Sequence, residues 1–265
     1  MNGLRHYLLA LQFFTCVPVT GALARWVGYS PQLLRASAGH FPGVGLLVGA
    51  LAALVYALLA GALPATPWTS LLAAILSSAA TVRLTGGLHE DGLADLADGL
   101  GGSADRQRAL EIMKDSRVGS FGVLALLLAV LAKVGLLALL GSVGWQHACA
   151  ALLLAHSMSR ALPLLLIRLL PYVADGAVSK SKPLAEQISN QGLLTAAVWS
   201  LLALVVAGSL LPPSGLGAAL LASAVAFAWM WRLLHRRLQG FTGDALGATQ
   251  QACELACYLG LALAA

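Results

Sequence analysis

Long apolar runs separated by short polar stretches set the pattern of this chain. A membrane-spanning helix takes about 20 predominantly apolar residues. Seven stretches reach or approach that length, at 42–62, 67–84, 118–141, 146–169, 193–211, 215–234 and 248–264. They are continuous and rich in Leu, Ala and Gly, which excludes the short alternating strands of a membrane β-barrel. Segment 4–18 is apolar but too short to span, so it is read as interfacial or re-entrant. The pattern predicts an all-α fold, a polytopic integral membrane helical bundle of about seven transmembrane helices, forming a single membrane-embedded catalytic unit over residues 1–265.

The polar stretches are distributed unevenly. With seven spans, one side carries 1–41, 85–117, 170–192 and 235–247. The other carries only short turns such as Leu63-Pro64-Ala65-Thr66, Ser142-Val143-Gly144-Trp145 and Pro212-Pro213-Ser214, which hold no Lys, Arg, Asp or Glu. The positive-inside rule then places the N-terminus and all large loops in the cytoplasm of a bacterial inner membrane protein. Composition agrees. The 265 residues are 59% apolar and 10% charged, whereas soluble domains are about 25% charged. A nucleic-acid-binding module is excluded, and the net charge of +5 is read as the topology signal of the loops. Cys16, Cys149, Cys253 and Cys257 show no metal or redox spacing and are read as inert packing. Tyr7 to Phe14 is short and lacks a following cleavage site, so no signal peptide is expected.

The acidic residues carry the candidate chemistry. None occurs in the first 89 positions, and seven of the 11 fall between 90 and 115. In the stretch 89–98, read as helix, Asp91, Asp95 and Asp98 sit at i, i+4 and i+7 on one face. Like charges at that spacing destabilise a helix unless a cation neutralises them. Hard oxygen ligands favour Mg²⁺ or Mn²⁺ over zinc. His89 suits a hydrogen bond or a phosphate contact better than metal ligation. Gly86, Gly87 and their neighbouring glycines let backbone approach a ligand, and Arg106, Arg108, Lys114 and Arg117 supply positive charge for phosphate oxygens. A solvated acidic loop beside the membrane is the plain alternative.

A second polar patch runs from Gln239 through Thr242, Gly243 and Asp244 to Gly247. Either Thr242 or Asp244 serves as a helix cap there, or Asp244 adds a carboxylate to the same face. Lys133 and Arg160 fall inside predicted spans, where charge is costly and faces the bundle interior. Glu254 is the natural partner for Lys133. Lys180, Lys182 and Glu186 read as a solvated face.

These motifs resemble the cobalamin-5′-phosphate synthase family, also called adenosylcobinamide-GDP ribazoletransferases. The resemblance rests on Gly86-Gly87-Leu88-His89-Glu90-Asp91-Gly92-Leu93-Ala94-Asp95 with Asp98-Gly99, on Lys114-Asp115-Ser116-Arg117, and on Thr242-Gly243-Asp244-Ala245-Leu246-Gly247. Looser matches at Phe14 to Val19 and Phe41 to Leu46 extend it nearly end to end. Cys16 stands where many members have Arg, and Gln251 where some have Glu. The resemblance implies a Mg²⁺-dependent reaction of adenosylcobinamide-GDP with α-ribazole, or α-ribazole 5′-phosphate, that releases GMP. It implies metal ligation by Asp91, Asp95 and Asp98, completed by Asp115 or Asp244. Asp98 is the implied base. Lys114, Arg117 and Arg83 would meet phosphoryl oxygens, His89 the leaving group, and Gly86, Gly87, Thr242 and Gly243 the substrates. A homo-oligomer is compatible with these features.

Two other readings were weighed. Asp95-x-x-Asp98-Gly99 copies the start of the CDP-alcohol phosphotransferase motif, but Gly102-Ser103 replaces its Ala-Arg pair. A cation or metabolite transporter would place its polar groups near the bilayer midplane, on broken and commonly repeated helices. Here the acidic cluster lies in a loop and no internal repeat is visible.

Overall fold

The computed structural model describes residues 2–174 and 187–265, and every long element in it is a helix. Asp175, Lys180, Lys182 and Glu186 lie outside the described residues. In chain order the helices are α1 (Asn2–Phe14), α2 (Gly21–Val27), α3 (Pro31–Ser37), α4 (Phe41–Ala62), α5 (Pro67–Thr85), α6 (Leu88–Gly102), α7 (Arg106–Ile112), α8 (Ser120–Val143), α9 (Trp145–Ala161), α10 (Pro163–Leu169), α11 (Asn190–Gly208), α12 (Pro213–Arg237) and α13 (Gly243–Leu263).

Five stretches are long and apolar enough to cross a membrane: Pro31–Ala62, Ser120–Val143, Trp145–Leu169, Asn190–Gly208 and Pro213–Arg237. A sixth arises only if α5 and α6 are joined, and those two helices are bent by 88°. The sequence-based count of about seven is therefore approximate, and the difference lies in α5 and α13. Helix α13 has the length of a span, but its apolar character is diluted by Gln250, Gln251 and Glu254. All three are buried inside the bundle. It packs against α12, α6, α9 and α8. Helix α1 is no span either. It packs against α3 and α4, and at 13 residues it is too short to cross the hydrocarbon layer.

Helices α4 and α9 form the tightest pair among the neighbours of α9. A Cβ at Gly45 or Gly49 would collide with the α9 backbone at His156 or Leu152. Small residues that let backbones meet are the usual device of helix association in lipid. The helix ends divide sharply by charge. The far turns at 63–66, 144 and 209–212 carry no Lys, Arg, Asp or Glu, while the long connections among the described residues lie at the other end.

A polar core crosses the apolar bundle. Lys133 Nζ lies 2.6 Å from Glu254 Oε1. Glu254 also accepts from Gln250 Nε2 at 2.6 Å and from the Tyr258 hydroxyl at 3.1 Å. His156 Nδ1 stands 3.5 Å from the other carboxylate oxygen. Arg160 donates to the His156 carbonyl at 2.9 Å, and its guanidinium lies over the Phe41 ring. Lys133 is thus neutralised inside the bundle, by the partner its position implied.

Removing one partner of a buried ion pair leaves an unpaired charge and costs about 3–5 kcal/mol. Lys133→Met or Glu254→Gln alone should sharply lower the thermal midpoint of the detergent-solubilised protein. The Lys133→Met/Glu254→Gln double variant should recover most of that loss. Additive losses in the thermal scans would contradict the pairing.

Candidate active site

The site begins at the break between α5 and α6. Gly86 and Gly87 take φ values of +68° and +71°, a left-handed pair that glycine adopts without strain. They turn the chain by the 88° already noted, so α6 leaves the line of α5 and packs against α13 and α8. Gly87 closes this turn with open space where a Cβ would stand. The backbone N–H of Cys16 donates to the Leu84 carbonyl at 2.7 Å and ties the segment after α1 to the same corner.

Helix α6 then packs on the start of α13. A Cβ at Gly92 would meet the Asp244 carbonyl oxygen at 2.8 Å, and one at Gly247 would meet the His89 backbone at 3.3 Å. This backbone-to-backbone approach sets Asp91 and Asp95 beside Asp244. Thr242 caps α13 by accepting from Ala245 N at 3.2 Å, and its hydroxyl donates to Asp244 Oδ2 at 3.3 Å. Of the two open roles, capping therefore falls to Thr242, and Asp244 faces the carboxylates of α6.

The electrostatics follow from this crowding. Burial pushes the Asp95 carboxyl up to about 7, with help from the charges of Asp244, Asp91 and Asp98. Burial also raises Asp244. The Thr242 hydrogen bond opposes that rise and Asp91 adds to it. Among the described residues no Lys or Arg forms an ion pair with Asp91, Asp95 or Asp244. No three His, Cys, Asp or Glu side chains among them stand close enough to enclose an ion as placed. The donor set still fits a hard divalent cation, since three carboxylates converge without a compensating charge and repel one another.

Asp98 has different work. Its oxygens accept from Gly119 N at 2.7 Å and Gly122 N at 2.8 Å. This is the geometry of a cap on α8, and the residue is buried. Asp115 is held by Arg117 through contacts of 2.6–3.2 Å on an exposed loop. That guanidinium lowers the Asp115 carboxyl to about 2. Lys114 is exposed on the same loop. The resemblance joined Asp98 and Asp115 to one metal set with Asp91, Asp95 and Asp244. The structure gives Asp98 and Asp115 hydrogen-bond partners of their own, while the charge of Asp98 still bears on Asp95. Arg83 is exposed and lines a separate groove between α5 and α8 that also reaches Glu90 and Lys133. It does not line either cavity at Asp91.

Those two cavities meet at the Asp91 carboxylate. One has a volume of about 140 Å³ and is lined by Phe13, Phe14, Phe41, His89, Asp91 and Asp244, together with Gly243 and several aliphatic side chains. The other is an open groove of about 600 Å³ that includes Thr15, Cys16, Gly86, Gly87 and Asp91. His89 is buried and its ring lies parallel to that of Phe41, with centroids 5.7 Å apart. Its Nε2 has no hydrogen-bond partner, and burial holds its pKa well below the ordinary value. The aromatic wall escaped the sequence reading. Its signal was present, since three of only six phenylalanines in the chain line this one cavity.

Comparison with known proteins bears on what such a site does. A family model described as cobalamin-5-phosphate synthase matches residues 6–262. The chain belongs to this family. It is 63% identical to the adenosylcobinamide-GDP ribazoletransferase of a Polaromonas species, over 98% of this chain and 96% of that protein. The protein of that name from Albidiferax ferrireducens is 60% identical, over 98% of each. The one from Shewanella amazonensis is 44% identical, over 97% of this chain and 94% of its own. No solved structure matches. Membership decides between a transferase and a transporter in favour of the transferase.

Asp95 supplies a pH test that needs no substrate. The folded, metal-free protein binds the Asp95 proton more tightly than the unfolded chain does. Its stability should therefore fall as pH rises from the ordinary carboxylate range toward about 7. Thermal unfolding in EDTA should show this slope in the wild type. Asp95→Asn should flatten it and weaken stabilisation by added Mg²⁺.

Proposed function

We propose that this chain joins adenosylcobinamide-GDP to α-ribazole, or to α-ribazole 5′-phosphate, and releases GMP. The product is adenosylcobalamin or its 5′-phosphate. The single observation that carries this reading is near full-length identity to relatives named for that transfer. The convergence of Asp91, Asp95 and Asp244 beside an open groove supports it, because phosphoryl transfer needs carboxylates where charged oxygens must be held.

In this proposal Asp91, Asp95 and Asp244 hold Mg²⁺. When bound there, the ion would supply positive charge to offset that of the pyrophosphate. The ribazole hydroxyl attacks the phosphorus nearer cobinamide, and GMP departs with the bridging oxygen. Such transfers depend on positioning and charge neutralisation more than on a strong base. The hydroxyl proton passes to a carboxylate of this group, since both Asp98 oxygens already serve α8. Asp98 acts by fixing α8 against α6. Lys114 is exposed at the loop surface and would meet the phosphates of the departing nucleotide; Arg117 would do so from its pairing with Asp115. Thr242 holds the start of α13, and Gly243 and Gly87 leave the backbone open to substrate.

Among the described residues the charged connections lie at the end of the bundle where this site opens. By the positive-inside rule that end faces the cytoplasm, so we assign the site to the cytoplasmic face of the bacterial inner membrane. The corrinoid then approaches from water and does not enter the hydrocarbon layer.

The test is turnover by the full chain purified in detergent. Adenosylcobinamide-GDP, α-ribazole 5′-phosphate and Mg²⁺ should yield GMP and a completed corrinoid in equal amounts, and EDTA should stop both. Folded protein that releases no GMP under these conditions would refute the assignment. A second variant probes the spacing of the carboxylates. Gly92→Ala should push the Asp244 backbone away and lower turnover about 10²-fold, as a misplacement near 1 Å does. Its thermal midpoint should move by only a few degrees, roughly the cost of about 1–3 kcal/mol for an overpacked contact.

A further inference from the structure

The two cavities at Asp91 differ in kind. The smaller one, of about 140 Å³, falls below the usual 300–1,000 Å³ of a whole-ligand pocket. It has room for a fragment and not for a corrin ring. Phe14 and Phe41 stack in its wall with centroids 3.9 Å apart and planes 20° from parallel. His89 extends that stack on the far side of the Phe41 position at an interplanar angle of 9°. Phe13 meets Phe14 edge-on at 4.9 Å. Leu164, Ile167 and Leu246 add aliphatic surface. The ionisable side chains in the lining are Asp91, Asp244 and His89, and the buried Nε2 of His89 is unpartnered.

Such a lining selects a flat, uncharged, mostly apolar ring with a single polar atom. Aromatic rings gain by offset stacking and edge-to-face packing. Guanine is the wrong occupant, because it carries donors and acceptors on most of its edges. These would stand unpaired against phenylalanine and leucine, which is costly. A benzimidazole fits, having two fused rings and, once joined to ribose, one free acceptor nitrogen.

Resting on the transfer proposed above, we infer that this cavity seats the benzimidazole-type base of the nucleophile, with a ring N–H of His89 directed to its free nitrogen. The base enters between Phe13, Phe14 and Leu246, and the attached ribose emerges beside Asp91 and Asp244. The pyrophosphate donor lies in the open groove on the other side of Asp91. Phe13, Leu88 and Asp91 line both cavities, so they form the wall across which hydroxyl and phosphorus meet. The arrangement separates the two substrates by chemistry: a dry aromatic slot for the base, and a wet groove for the charged nucleotide.

The test measures binding, so it does not depend on turnover. Equilibrium dialysis of the full chain in detergent would use α-ribazole as one probe and GMP as the other. Leu246→Phe, which fills the slot, should weaken α-ribazole binding about tenfold, the scale of a methylene-sized misfit in an apolar pocket. GMP binding should stay within about twofold, well under the 1.4 kcal/mol that a tenfold change represents. Phe13→Ala should gain affinity for a riboside bearing a tricyclic naphthimidazole base, a result that misfolding cannot produce. Equal α-ribazole affinity in wild type and Leu246→Phe would overturn the inference. So would a loss of GMP affinity in its place, which would mark the slot as the guanine site. Wild-type protein that binds α-ribazole as described but releases no GMP in the turnover assay would fail the transfer reading and leave the slot standing.

Discussion

The carboxylate of Glu254 is the constraint on which the arrangement depends. It sits well inside an apolar bundle, and it is tolerable there because Lys133, Gln250 and Tyr258 all direct polar atoms at it. These contacts fix the rotation of α13 about its own axis. Rotation in turn decides which face of its first turn meets α6. Asp244 therefore stands beside Asp91 and Asp95 because a buried charge several turns further along has a single satisfactory orientation. An apolar core of the same volume would hold α13 with less directional preference, since dispersion contacts are individually weak and non-directional. Hydrogen bonds are directional, so the contacts converging on Glu254 favour one arrangement.

The candidate site is then made at a place where several helix ends converge. Helix α5 stops at two left-handed glycines, α6 turns off to pack against α13 and α8, and α13 begins with a threonine cap. Arg237 donates to the carbonyls of Leu100 and Ser103 at 3.0 Å and 2.7 Å, and so holds the far end of α6. Arg106 donates to the Leu238 carbonyl at 2.6 Å. Part of the positive charge in these loops therefore serves helix ends. Among the described residues Asp91, Asp95 and Asp244 form no ion pair with Lys or Arg, and this imbalance separates them from the charge that serves helix ends.

Much of this was legible in the sequence. Helices α4, α8, α9, α11 and α12 follow from runs of apolar residues, because lipid demands internally satisfied backbone over a fixed thickness. The shared face of Asp91, Asp95 and Asp98 held on the condition that 89–98 is helical, which α6 meets, and the partner of Lys133 followed from the scarcity of acidic residues in apolar segments. Hydropathy marked 248–264 as a span but not its surroundings, because a helix enclosed by other helices can carry Gln250, Gln251 and Glu254 where a lipid-facing one cannot. Spacing also could not divide Asp98 from Asp91 and Asp95. All three share a face, and only the arrival of Gly119 and Gly122 from α8 gives Asp98 its separate partners. The aromatic slot was hidden for a related reason. Phe13 and Phe14 lie far from Phe41 in the chain, and the link between them is tertiary.

The uncharged turns at the far end bear on how the chain enters the bilayer. Each of the pairs α4–α5, α8–α9 and α11–α12 is a hairpin whose tip holds no ionisable acid or strong base. Carrying such a tip across the hydrocarbon layer avoids the roughly 2.5–3.5 kcal/mol that each central charge would cost. The hairpins can therefore insert two helices at a time, in one orientation. Helix α13 has no such partner and carries Glu254. That carboxylate is neutralised by Lys133 of α8, so the place of α13 inside the bundle, and of Asp244 at its start, depends on a pairing between helices and not on a hairpin.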